Sequence, residues 1–188
     1  MSRMTRRSTS LGLALTLATA LAALLPRAEA PAAPTTATRE SAVTWAMSQV
    51  GTREIGTSNC SRKINRWERA MGLNVPPCRV WCGAFVHQAF LQAGVRLSAR
   101  LIDPHRSYLD AVAGRRGLQR IARSQVRRGD VVFYKLRQGV LASHLAIARG
   151  RPRSGKLDTV EGNVSNAARL KRRGVKYIVL AARVVNAD

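Results

Sequence analysis

The hydrophobic period of this chain changes partway along its length, and that change sets the fold class. Up to Gly94, apolar residues recur at steps of three and four. Beyond Gly129 they fall in short runs. Val43, Ala46, Met47 and Val50 predict a helix over 40–50, stopped by Gly51. Ser61 is a candidate N-cap for a second helix, with Ile64, Trp67 and Met71 on one face and Gly72 at its end. Ala84, Phe85, Ala89, Phe90 and Ala93 predict a third, buried helix that opens near Cys82 and closes at Gly94. A fourth covers 105–112. The later runs, 131–134, 144–147, 159–163 and 177–185, are β-branched or apolar and lie between Gly- and Arg-rich loops. Helices followed by strands predict an α+β domain with an antiparallel sheet.

Met1 to Ala30 has the layout of an export signal. Arg3, Arg6 and Arg7 form a basic head, Leu11 to Leu25 is apolar apart from two threonines, and Ala28-Glu29-Ala30 is a small-x-small cleavage pattern. The apolar run is shorter than the roughly 20 residues a membrane span needs, which favours cleavage over a retained anchor. Residues 31–38 read as a flexible Pro/Ala/Thr linker and 39–188 as the folded domain. Such a chain is expected to be secreted, periplasmic or wall-associated.

Export places Cys60, Cys78 and Cys82 where disulfides are permitted. An odd count suggests one bridge and one free thiol. Cys60–Cys78 is the preferred pair. Cys78–Cys82 would remove a nucleophile, and three free thiols is the third arrangement. Cys82 stands at the start of an apolar helix, where unpaired N–H groups and the helix dipole favour an anion. That is a setting for a nucleophilic thiolate. A buried, inert cysteine is the plain alternative.

A thiolate needs a base. His87 lies five residues past Cys82, about 140° around a helix, and faces elsewhere. His105 sits in an apparent loop with nothing local to fix it. His144 opens a short strand, a rigid place from which to meet a thiolate. Strict alternation puts Glu161 and Asn163 on one face of the next strand, where either group is suited to holding the imidazole Nδ1–H.

Taken in order, Trp81-Cys82-Gly83-Ala84-Phe85-Val86, Gly129-Asp130-Val131-Val132-Phe133, Ser143-His144-Leu145-Ala146-Ile147 and Val160-Glu161-Gly162-Asn163 resemble the successive motifs of the CHAP domain, the cysteine, histidine-dependent amidohydrolase/peptidase family. The resemblance covers most of 39–188. It implies a papain-like fold and cleavage of amide bonds in bacterial peptidoglycan, as an N-acetylmuramoyl-L-alanine amidase or an endopeptidase. It implies Cys82 as nucleophile, His144 as general base and acid, Glu161 as the orienting carboxylate and Asn163 as an accessory polar group. Trp81, Glu54 and Asn59 are the implied substrate contacts. Some members carry a calcium loop of clustered acids ahead of the cysteine. Here that stretch offers only Glu54 and Glu68, so neither metal nor cofactor is expected.

The chain carries 32 Lys+Arg against 10 Asp+Glu, a net charge of +22. Removing residues 1–30 takes away four arginines and one glutamate and lowers this to +19. Arginines crowd 96–128 and 149–183. They read either as a solvated face or as attraction to anionic wall polymers. Charge alone also admits a nucleic-acid binder. The export signal argues against one. So does the placing of Trp45, Trp67, Phe85, Phe90 and Phe133 at apolar periodic positions rather than among arginines on a stacking face. A catalytically silent wall-binding module on the same fold is the other alternative.

Overall fold

In the computed structural model, residues 35–185 are described. The expected signal at 1–30 and the first four residues of the expected linker lie outside them. Four α-helices come first: α1 (Thr36–Ser48), α2 (Arg62–Ala70), α3 (Cys82–Gln92) and α4 (Pro104–Val112). Six strands follow: β1 (Leu118–Ile121), β2 (Val131–Tyr134), β3 (His144–Ala148), β4 (Lys156–Val164), β5 (Ala167–Gly174) and β6 (Ile178–Val184). They form one antiparallel sheet in the order β1-β6-β2-β3-β4-β5. The domain is therefore α+β, helices before sheet. No helix among the described residues is long and apolar enough to cross a membrane.

The helix ends follow local chemistry. Ser61 caps α2 by accepting the Ile64 N–H at 3.3 Å. Asp103 caps α4 through the His105 and Arg106 N–H groups, with Pro104 in the first turn, and His105 falls in the helix predicted over 105–112. Thr35 caps α1, which starts earlier than periodicity predicts and takes in Thr36 to Thr38 of the expected linker. Threonine is a good cap.

Strand alternation splits the sheet into two apolar faces. Val131, Phe133, Leu145, Ile147 and Val160 join the helices in the main core. Val132, Tyr134, Ala146, Ala148, Leu157 and Ile178 form a second cluster. Trp45, Trp67, Trp81 and Phe85 meet ring to ring at centroid separations of 5.6–6.4 Å, which ties α1, α2 and α3 together. Phe85 and Phe90 are fully buried, each contributing about 1.5–3 kcal/mol. The helix that starts at Cys82 is thus anchored along its length.

Candidate functional site

The Cys60–Cys78 disulfide forms, and Cys82 is a free, buried thiol. Cys82 is the first residue of α3, so its backbone N–H is among those with no partner inside the helix. Trp81, the N-cap, supplies no side-chain cap. Instead, the Asn163 amide has its partners when Oδ1 accepts the Trp81 N–H at 3.1 Å and Nδ2 donates to Glu54 Oε1 at 3.1 Å.

Two glycines let the pieces approach. A Cβ on Gly83 would lie 1.7 Å from the Leu101 carbonyl oxygen, in the short 3-10 helix Ala99–Ile102. A Cβ on Gly162 would lie 2.5 Å from Phe85 Cβ and 2.8 Å from Trp81 Cζ3. The β4 backbone therefore rides directly over the first turn of α3, and that contact brings Glu161 and Cys82 into one neighbourhood.

His144, at the start of β3, is buried. Its Nε2 meets Glu161 Oε2 at 2.9 Å. The Cys82 side chain is the other group that acts on the ring and raises its pKa. Expectation had the carboxylate on Nδ1. Here Glu161, reaching the ring from β4, meets Nε2 instead. Burial alone would lower the His144 pKa. Hydrogen bonding to Cys82 and to Glu161, with their negative charge, overcomes this and raises it to about 9.

Glu161 is fully buried and fully engaged. Thr159 Oγ1 donates to Oε1 at 2.5 Å. Arg173, from β5, forks onto both oxygens, with Nε at 2.8 and 3.1 Å and Nη2 at 2.7 Å. Its guanidinium lies 5.4 Å from the Tyr134 ring centroid. Burial pushes the Glu161 carboxyl up. The His144 and Arg173 hydrogen bonds, His144's charge and Thr159 together bring it down to about 2. The site thus links imidazole, carboxylate and guanidinium, with the Cys82 thiol acting on the imidazole. Sequence reasoning missed Arg173 and gave Thr159 no role. Arg173 belongs to a strand that was itself read as part of a basic loop.

Asn163 does not share the Glu161 face. The β4–β5 register shifts between Glu161 and Val164, and Asn163 has φ 59°. That bulge breaks alternation, and Asn tolerates the left-handed conformation. Its side chain turns to Asn59, Glu54 and Trp81. Glu54 Oε1 also accepts Trp81 Nε1 at 2.8 Å, and Oε2 accepts the Asn59 N–H at 2.9 Å. Residues 51–54 reach this position by pairing along the start of β5. The expected substrate contacts Trp81, Glu54 and Asn59 therefore meet one another. Trp81 is fully buried, and the group supports the start of α3 from beneath.

Among the described residues, the side chains of His87 and His105 make no hydrogen bond to Cys82, His144 or Glu161. His87 is buried in α3. Burial, with Arg96 nearby, lowers its pKa to about 4 and keeps it neutral. The arginine-rich tail is also less uniform than its sequence suggests. Arg173 and Arg183 turn inward, the latter forking onto buried Asp130 at 2.9 Å. The chain matches no protein-family model and no curated protein.

Proposed function

We propose that this protein is an exported cysteine hydrolase of the CHAP type, papain-like in arrangement, that cleaves amide bonds of bacterial peptidoglycan. The observation that carries the reading is the free thiol at the start of a buried helix, beside an imidazole whose Nε2 is held by a clamped carboxylate. Cys82 thiolate attacks the carbonyl carbon, and its own backbone N–H helps hold the oxyanion. As the C–N bond breaks, His144 imidazolium gives its proton to the leaving amine. Water then adds to the thioester carbonyl while His144 takes its proton. The C–S bond breaks, and thiolate and imidazolium are restored. Glu161 keeps the ring oriented and stabilises its charge. The basic surface favours residence on an anionic wall.

The test is incubation of purified protein with defined peptidoglycan, followed by mass spectrometry of the fragments, which names the bond from its new ends. Cys82→Ala should lower turnover roughly 10⁴-fold or more with the fold retained. Fragment release by that variant at the parent rate would rule out the thiol mechanism. Wall binding without release by the parent protein would identify a silent binding module instead.

A further inference from the structure

The loop joining β3 to β4 lies outside the thiol site and carries charge of its own. Arg149, Gly150, Arg151, Arg153 and Asp158 line a hollow of about 240 Å³. The loop is rigidly built. Arg153 and Lys156 exchange backbone hydrogen bonds at 2.8 and 3.0 Å across Ser154 and Gly155, both with positive φ. That is the two-residue turn whose twist suits a hairpin. Pro152 fixes the chain between Arg151 and Arg153. Arg149 is tied at both backbone ends, its N–H donating to the Asp158 carbonyl at 2.9 Å and its carbonyl accepting from Arg128 Nη1 at 3.4 Å.

The charges of the hollow do not balance. Arg149, Arg151 and Arg153 have no carboxylate partner among the described residues, and Arg149 Nε is buried with no hydrogen-bond partner. The single acid on the wall, Asp158, lies 3.9 Å from Arg172 of β5. Elsewhere the fold pairs its inward arginines closely, as at Glu161 and Asp130. Here three arginines and one acid line the same hollow. A carboxylate offers two acceptor oxygens on one edge. A phosphate has enough oxygens to engage all three.

We propose that this hollow binds a phosphate-class oxyanion, either free orthophosphate or the phosphomonoester of a phosphorylated sugar. The site is independent of the hydrolase reading, and its test does not use turnover. The full chain, labelled with ¹⁵N, is titrated with orthophosphate and separately with glucose 6-phosphate. Chloride at matched ionic strength is the control. Saturable shifts of the Gly150, Arg151 and Arg153 amides are expected, with affinity falling about tenfold or more in an Arg151→Ser/Arg153→Ser variant. Those two side chains are exposed, so the variant should keep the parent spectrum elsewhere. Tighter binding of orthophosphate identifies the free ion, and tighter binding of the sugar phosphate identifies the ester. Shifts that chloride reproduces, or that persist unchanged in the variant, would overturn the proposal.

Discussion

Glu161 and Glu68 are both fully buried, yet their carboxyl groups move in opposite directions. Glu161 receives hydrogen bonds from His144, Thr159 and the Arg173 fork, and its pKa falls to about 2. Glu68 receives the Arg79 N–H at 3.1 Å on Oε1, while Oε2 is buried with no partner. Burial therefore dominates at Glu68 and raises its pKa, against the weaker pull of that hydrogen bond and of Arg79's charge. Depth is shared, and partners are not. A buried carboxylate stays charged when its oxygens are satisfied, and only a charged one can support an imidazolium.

The strongest way to break this contrast is to unclamp Glu161. Arg173→Met leaves a buried charge with fewer donors and should destabilise the fold by about 3–5 kcal/mol, read from urea unfolding at neutral pH. It should also raise the Glu161 pKa, making that residue behave like Glu68. Pairing it with Glu161→Gln should cost less than the two losses added, because neither partner is then left alone. A loss under about 1 kcal/mol, typical of exposed pairs, would show that the fork carries little.

Glu161→Gln comes next. It keeps the shape but removes the charge behind the ring, and turnover should drop about 10²–10³-fold, less than for loss of Cys82 or His144. The His144 pKa, followed by NMR of the ring protons, should move down from about 9 because a raising partner is gone. An unmoved His144 titration would mean that the thiol alone holds the imidazolium.

Stability should follow pH from both ends of the same pair. The His144 pKa is raised on folding from 6.5, so its contribution is full below that value and is lost as pH rises through about 9. The Glu161 pKa is depressed from 4.5, so its contribution is full above that value and is lost as pH falls through about 2. Urea midpoints should hold between pH 4.5 and 6.5 and fall on either side. In Cys82→Ala the alkaline fall should begin at lower pH, since the thiol is one cause of the raised value.

Much of this site is legible along the chain because it stands at element ends. Cys82 opens a helix with a clear apolar face, and His144 opens an apolar strand. Alternation placed Glu161 correctly and Asn163 incorrectly, since a bulge at Gly162-Asn163 turns the amide toward Trp81. Arg173 is invisible by composition. β5 is an edge strand whose charged side chains face both ways, as edge strands often do, and no local signal separates the one arginine that points at Glu161. The resemblance implies Trp81 as a substrate contact; in the fold its N–H donates to Glu54 and its ring packs against Trp67 and Phe85.

The smallest effect expected is at Glu68, and it sharpens the contrast most cleanly. Because folding raises this carboxyl's pKa above 4.5, the folded state binds its proton more tightly than the unfolded state. Stability from this group is greatest at low pH and declines as pH rises through that interval, the reverse of Glu161. Glu68→Gln retains an oxygen for the Arg79 N–H and removes the charge that burial penalises. At pH 7 it should be neutral or stabilising by up to about 1 kcal/mol, with turnover unchanged. A loss of more than about 2 kcal/mol, the scale of a broken buried hydrogen bond to a charged group, would show that Glu68 has a partner as effective as those of Glu161. The two glutamates would then differ in placement alone.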